Sequence, residues 1–445
     1  MTESNAARGR FPHPFVLLLA GVVVAALLTW VVPAGEFDRR VDPATGRSLA
    51  VPGTYHRVEA TPLGPLQTAL AVPRGVVDGA EVLVVVLFVG GAFSLLDRTG
   101  ALRRLVASLV SQTRRPAGVL AIVGVLFALL GALDGTHEEI VALLPVLVLL
   151  SRRLGYGALT ALGISLGSAV VGAAFSPTNP FAAGMALRFA QLPPLAGGGL
   201  RLAMLLAGTA LWIAWVILRA PHDDVKPDVA AVAHEPMRPR DGLLLALVML
   251  PFPPYVYGVL ELGWGFNELS AMFLLAGFAV GLLARMGWRE TTVELLKGME
   301  TMLAPALFIG VARAISLVFA GGHIIDTVVH ELAQPLQHLP RAVSAALMVP
   351  VQALIHIPVS STSGQAALTM PIMAPLADVL GFSRQVAVLA YQTGAGLMDM
   401  LTPTDGALIA MLIATNVSYS RWLRFAVPGA AIVSVVGFVA LAISA

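Results

Sequence analysis

The chain has 445 residues, 57% of them hydrophobic and 12% charged, with a mean hydropathy of +0.83 and a formal net charge of +2. Such a composition belongs to an integral membrane protein, and its arginines sit in loops as topology signals rather than in a patch that would bind nucleic acid. It contains no cysteine, which excludes disulfides and thiolate metal sites.

In chain order, residues 15–32 form an apolar run that resembles a signal peptide but is long and has only Pro33-Ala34-Gly35 as a weak cleavage site, so it reads as a retained anchor helix. Arg8 and Arg10 precede it, which predicts a cytoplasmic N-terminus. Residues 36–73 are polar and predict an ordered external loop, so 1–75 is an anchor-and-loop unit. Residues 81–96 return inward to Arg98, Arg103, Arg104, Arg114 and Arg115. Two short apolar arms follow, 119–133 and 140–150, with basic residues beyond both ends and the polar run Asp134-Gly135-Thr136-His137-Glu138-Glu139 between them. That pattern predicts a re-entrant hairpin whose tip lies inside the membrane; two ordinary short spans with an external loop are the alternative.

Residues 158–187 cross next, interrupted by Ser176-Pro177-Thr178-Asn179-Pro180. Proline lacks a backbone donor and clashes in a helix interior, so the span should break there. Residues 200–218 return, and the charged stretch 219–241 reads as a cytoplasmic linker that closes a first repeat spanning 76–218. Three crossings follow, at 243–260, in a pass ending at Ala284, and at 302–320; residues 324–339 then have the spacing of an interfacial amphipathic helix. Residues 342–379 repeat the hairpin pattern around a tip at 358–365. Residues 386–417 repeat the broken span at Thr402-Pro403-Thr404-Asp405-Gly406, and 425–443 is the last span, leaving the C-terminus outside.

The second repeat, 242–445, superimposes on the first at one offset of 226 positions (381 − 155), which pairs Thr136 with Thr362, Pro145 with Pro371, Gly155 with Gly381, Pro177 with Pro403 and Thr178 with Thr404. Five crossings separate the two hairpins, and an odd number makes the repeats inverted. The expected fold is therefore an all-α polytopic membrane protein with two inverted repeats, each holding a re-entrant hairpin and a broken helix. Paired broken helices are the best sequence pointer to a secondary transporter's binding site.

At such breaks, half-helix N-termini and freed carbonyls face the cavity. Thr178, Asn179, Thr404 and Asp405 add oxygens there, as do Ser176 and Thr402, so Na⁺ at the helix breaks is one expectation. The second tip, Ser360-Ser361-Thr362-Ser363-Gly364-Gln365, is hydroxyl-rich and suits Na⁺ or a carboxylate. The same residues could also simply cap buried half-helices. In the first tip, Thr136, His137, Glu138 and Glu139 could meet a substrate ammonium, hold a cation or relay protons; a wet tip with solvated carboxylates is the alternative. Arg313 could bind a substrate carboxylate or pair with Asp399, and His356 reads as a packed polar residue rather than a ligand.

At these residues the chain resembles the YfcC-type family of the ion transporter superfamily, related to anaerobic C4-dicarboxylate carriers. The matching stretches are Glu138-Glu139 with Pro145, Ser176 to Phe181, Gly310-Val311-Ala312-Arg313-Ala314, Ser360 to Met370 with Pro371, and Leu401-Thr402-Pro403-Thr404. The resemblance implies a fold similar to sodium/dicarboxylate symporters: a homodimer whose scaffold domain guides a mobile transport domain, working as an elevator driven by Na⁺ or H⁺. The Ser-Asn-Thr tip signature of the sodium/dicarboxylate branch is absent, and the tips instead read Asp134-Gly135-Thr136 and Ser361-Thr362-Ser363. The functional expectation is ion-coupled movement of a small organic solute, an amino acid or peptide-like zwitterion, across the inner membrane, with a C4-dicarboxylate as the alternative. No cofactor beyond the coupling ion is implied. An intramembrane hydrolase using Ser361 and His356, and a channel, are rival classes. The first lacks a second partner group for its nucleophile and leaves the duplication unexplained; the second suits paired tips less well than an occluded site does.

Overall fold

A chain in hydrocarbon must satisfy its backbone polar groups internally, and the computed structural model does so almost wholly with helices. It describes residues 14–41, 48–101, 104, 105, 108, 115–134, 140–193, 195–219, 237–258, 262 and 264–445. The helices are α1 (Pro14–Val31), α2 (Pro65–Asp78), α3 (Ala80–Arg98), α4 (Pro116–Asp134), α5 (Ile140–Arg153), α6 (Ala158–Leu162), α7 (Ser168–Phe175), α8 (Met185–Phe189), α9 (Gly198–Arg219), α10 (Pro239–Met249), α11 (Phe252–Tyr257), α12 (Phe266–Leu283), α13 (Trp288–Gly321), α14 (Ile325–Ala333), α15 (Arg341–His356), α16 (Thr362–Val379), α17 (Arg384–Met398), α18 (Gly406–Ala414) and α19 (Tyr419–Ser444). Between α1 and α2 lie two small antiparallel ribbons. One pairs β1 (Gly35–Glu36) with β4 (His56–Arg57), and the other pairs β2 (Arg39–Val41) with β3 (Ser48–Ala50).

Among the described residues, seven helical segments are long and apolar enough to cross a membrane: Ala80–Arg98, Pro116–Leu133, Ala158–Phe175, Gly198–Arg219, Phe266–Leu283, Trp288–Gly321 and Tyr419–Ser444. The protein is an all-α polytopic membrane protein. Its helices gather in two groups. In one, α3 packs against α12 and α13, and α1 and α2 lie along α13. An added Cβ on Gly75 would lie 2.4 Å from the Gly310 carbonyl, so only glycine lets α2 approach α13 so closely.

The second group holds α4, α5, α15, α16 and both broken helices, and its packing is reciprocal. Arm α4 packs on half-helix α7 as arm α15 packs on half-helix α17. Helix α5 meets α18 across the repeats, and α16 meets α8 in the same way. The first halves of the two broken helices, α7 and α17, pack against each other, as do the following helices α9 and α19. Where α4 crosses α7, an added Cβ on Gly172 would lie 2.0 Å from the Ala128 carbonyl, and one on Gly131 would lie 2.0 Å from the Ala169 carbonyl.

Several elements differ from the sequence expectation. The expected external loop ends at Gly64, because Pro65 starts α2 and its amphipathic face lands on α13. The single crossing expected at 243–260 is instead two short helices, α10 and α11, parted by a turn at Leu250 and Pro251, with Pro253 and Pro254 just beyond. Helix α13 runs for 34 residues, extending well before the apolar core of its span. The first broken helix carries π-helical turns at Gly163–Gly167 and Pro180–Gly184. The first of these makes room for the fully buried Trp212, whose indole N–H donates to the Gly163 carbonyl at 2.7 Å. The amphipathic helix is present as α14, followed by a 3₁₀ turn at Gln334–His338. Its buried Asp326 accepts from both the Phe37 N–H (2.8 Å) and Arg39 (2.7 Å), tying the ribbon down.

Candidate functional site

Each break is built by a hydroxyl that folds the chain and a short polar residue that restarts the helix. At the first, Ser176 Oγ accepts from the N–H groups of Thr178 (3.0 Å) and Asn179 (2.9 Å) and donates to the Ala132 carbonyl of α4 (2.5 Å). One hydroxyl offers one donor and two acceptor sites, so Ser176 is filled by the protein itself. Asn179 Oδ1 accepts from Phe181 N–H and Ala182 N–H, both at 2.9 Å, and its Nδ2 donates to the Gly131 carbonyl at 3.0 Å. These bonds fasten the first break to the end of hairpin arm α4. The Thr178 side of the turn is exposed, while Ser176 and Asn179 are fully buried.

The second break repeats this with altered chemistry. Thr402 Oγ1 accepts from the Thr404 N–H at 3.4 Å and shares a 2.7 Å bond with Thr404 Oγ1. Asp405 Oδ1 accepts from the Leu408 N–H at 2.6 Å and caps α18, as Asn179 restarts the first broken helix. Gly406 sits against Ile309 of α13, so this break touches the other helix group.

The second tip spans Ile357 to Ser361 and is shorter than expected, because Ser361 caps α16 by accepting from the Gly364 N–H at 3.3 Å. Tyr391 of α17 donates to the Thr362 carbonyl at 2.6 Å and holds the tip to the broken helix. The hydroxyls of Ser360, Thr362 and Ser363 make no hydrogen bond among the described residues and are partly buried, which leaves them open to a solute. A cleft of about 280 Å³ opens beside them, lined by Val359 and Gly364 of the hairpin and by Glu36, Arg39, His323 and Asp326. Thr136, His137, Glu138 and Glu139 lie outside the described residues.

Arg313 does not meet Asp399. Its guanidinium lies 3.7 Å from Asp78 at the α2–α3 junction, with both side chains more than two-fifths exposed. Asp399 instead bonds His356 at 2.7 Å. Sequence reasoning also missed two amides, Gln392 and Gln352. Gln392 of α17 donates to the carbonyls of Ala174 (2.9 Å) and Ser176 (3.1 Å), the free acceptors of the first break, and is itself held by buried Arg201 of α9 at 2.6 Å. Gln365 and Gln352 form a further buried chain. Their sequence signal is an amide side chain within an otherwise apolar helix, a costly placement unless its bonds are made.

The two ring nitrogens of His356 both have partners, Gln365 and Asp399, so neither is available as a base for Ser360 or Ser361. Among the described residues no group of three His, Asp or Glu side chains could hold a metal ion. A cation at either break would have to share oxygens already bonded, those of Ser176 and Asn179 at the first and of Thr402, Thr404 and Asp405 at the second.

Comparison with known proteins extends over nearly the whole chain. The profile of the family described as DcuC, C4-dicarboxylate anaerobic carrier, matches residues 11–445. The chain belongs to this family. Within it, a relative from Escherichia coli (strain K12), YfcC, is 30% identical over 477 positions, covering 95% of this chain and 94% of the relative; its name offers basic amino acid antiport as a proposal. An uncharacterized protein of Haemophilus influenzae is 28% identical, covering 97% of this chain and 96% of that protein. Two solved structures also align at 18% identity. One is MtrF of Neisseria gonorrhoeae, from a class of antimetabolite efflux pumps, at TM-score 0.44 over 98% of this chain and 95% of its own. The other is the Alcanivorax borkumensis YdaH transporter, at TM-score 0.43 over 97% of this chain and 98% of its own.

Proposed function

We propose that this DcuC-family protein is a secondary active transporter that carries a small organic solute across the inner membrane, coupled to an ion gradient. The observation that carries the reading is the reciprocal packing of α5 on α18 and α16 on α8, which joins each hairpin to the opposite repeat's broken helix. Such an arrangement supports two inverted repeats with re-entrant hairpins, an elevator-like motion of the hairpin group against the α1–α3, α12 and α13 group, and a solute held between the breaks. No hydrolytic step is part of this reading. The protein works as a homodimer in the bilayer, with its N-terminus in the cytoplasm and its C-terminus outside.

The solute is an amino acid or peptide-like zwitterion, with basic amino acids first among them. The name of the Escherichia coli relative supports that class. So does the carboxylate at the second break, Asp405, together with Glu138 and Glu139 in sequence. The open hydroxyls of Ser360, Thr362 and Ser363 with Thr404 suit the carboxylate end. A C4-dicarboxylate is the second reading, favoured by the family description and by Arg313, whose long exposed contact with Asp78 leaves it able to turn to an anion. Sodium, if it is the coupling ion, uses Thr402, Thr404 and Asp405.

The test is counterflow into proteoliposomes, with L-arginine, L-lysine, a dipeptide or succinate loaded inside and the same radiolabelled compound outside. Exchange of one of these at a rate at least ten-fold above empty liposomes is expected. If none exchanges under any Na⁺ or pH gradient, the transporter reading fails.

A further inference from the structure

His356 ends hairpin arm α15 and Asp399 ends half-helix α17, so their contact bridges a tip and a break. The His356 side chain is fully buried, and that of Asp399 nearly so. The hydrogen bonds around them fix a proton count. Gln365 Nε2 lies 2.8 Å from the Gln352 backbone carbonyl, an unambiguous acceptor, so the Gln365 amide nitrogen must point there. Its oxygen therefore faces His356 Nδ1 at 2.7 Å, and Nδ1 must carry hydrogen. The other ring nitrogen, Nε2, lies 2.7 Å from Asp399 Oδ1. That contact needs one proton between the two atoms, on Nε2 or on the carboxyl. Without it, a lone pair would face a buried negative charge.

We propose that the proton exchanged in each transport cycle is the one held between His356 Nε2 and Asp399 Oδ1. The inference rests on the transporter reading above and names its coupling ion and coupling residues. On release, the N–H or O–H bond breaks, the proton passes to water, and the pair goes from net neutral to −1. His356 is left neutral with hydrogen on Nδ1, its Nε2 lone pair opposes the carboxylate, and the link between α15 and α17 opens. Protonation thus clamps the second hairpin to its broken helix, and deprotonation frees it. The groups that face His356 are Asp399 at the end of α17 and Gln365 of α16, with the Asp405 carboxylate beyond the break. Gln352 and Thr369 extend the network without titrating; Thr369 donates to the Gln365 carbonyl at 2.9 Å. A proton carrier needs burial in one state, a route to water in the other, and a structural contact that changes with its charge. This pair supplies the first and third, and the proposal assigns the second to an opening of the tip, which begins at the next residue, Ile357.

Two variants and two readouts test it. Asp399→Asn can still donate to neutral Nε2 but cannot release a proton, and His356→Gln removes the ring. The first readout needs no solute: ¹⁵N-histidine spectra of the full-length protein in nanodiscs, with the His356 signals assigned by their loss in His356→Gln. The proposal expects a ring protonated at Nδ1 with a shared proton at Nε2, releasing one proton as pH rises, and a plain Nδ1–H neutral ring in Asp399→Asn. The second readout is uptake driven by an imposed pH gradient, which should fall at least ten-fold in both variants while counterflow persists within about three-fold in Asp399→Asn. A neutral His356 whose spectrum ignores both pH 5–9 and Asp399→Asn overturns the proposal, as does undiminished gradient-driven uptake in Asp399→Asn. Absence of exchange in the parent overturns the transporter reading itself, and the spectra then decide separately whether the pair holds a proton.

Discussion

Asn179 and Asp405, 226 positions apart (405 − 179), make the same bond, each turning a side-chain oxygen to the N–H groups that restart a broken helix. The amide, unlike the carboxylate, also donates, and Asn179 uses that donor to reach the Gly131 carbonyl of α4.

Replacing Asn179 by Ala leaves two N–H groups and a buried carbonyl without partners, which should cost roughly 1–3 kcal/mol and abolish uptake. Asn179→Asp keeps the cap and loses only the link to α4, so its stability should lie between the two. Thr404→Ala should abolish uptake with little loss of stability, because among the described residues its hydroxyl bonds only Thr402. Thermal unfolding in detergent beside counterflow separates these outcomes. Normal transport by both Ala variants would make the breaks purely structural.

Gly172→Ala should drive α4 away from α7, because the new Cβ would meet the Ala128 backbone at 2.0 Å. Overpacking of this kind costs typically 1–3 kcal/mol. A lower melting temperature with aggregation in size-exclusion chromatography is the expected result, and a parent-like profile would show that the crossing has slack.

Arg104 donates two 2.7 Å hydrogen bonds to Asp241 at the start of α10, and the carboxylate is 2% exposed. Those bonds hold the Asp241 carboxyl below the ordinary carboxylate range, against the opposing effect of burial. A carboxyl lowered in this way contributes stability above its unfolded pKa of about 3.9, lost as pH falls through the folded value. Arg104→Ala should cost roughly 3 kcal/mol near neutrality and flatten the acid limb of the stability curve. Equal acid sensitivity in parent and variant would exclude the pair as its source.

Arg313→Gln should leave stability unchanged within about 1 kcal/mol, because an exposed 3.7 Å pair contributes little. If Arg313 meets a solute carboxylate, the same variant should weaken apparent affinity about ten-fold. Unaltered affinity removes it from the site.

The inverted relation of the repeats is tested by single cysteines in this cysteine-free chain. Arg152→Cys in the last turn of α5 and Gln337→Cys before α15 are both exposed positions, and they should react from opposite faces of the membrane. Ser151 is unsuitable because it is buried and bonds the Gly157 carbonyl at 2.8 Å. Reaction of both from one face would reject the inversion.

Much of this architecture was legible in the sequence, because prolines and short polar residues inside apolar runs announce a break without any tertiary information. Pro177 and Pro403 did so at one offset, and the breaks stand where they predict. Pro251 carried the same kind of signal, but without a polar neighbour it reads as a tolerated proline, so the α10–α11 turn was missed. The π turns were not legible, since Gly163 and Gly167 adapt to Trp212, a residue 45 or more positions away. Helix α2 was hidden by the polar face that it turns from α13. The partners of Asp399 and Arg313 depend on where helices land: spacing can nominate a charge for pairing, but only packing chooses its mate.

Strand β3 lies along α16, with Leu49, Ala50, Val51 and Pro52 facing Pro371, Ala374 and Pro375. Any displacement of the second hairpin must therefore unseat a strand that belongs to a loop clamped by Arg39 and Asp326. The ribbon would act as a latch, setting how often the carrier turns over rather than what it carries. A nanobody that grips β2 and β3 would then stall the cycle without entering the membrane, giving an inhibitor indifferent to solute.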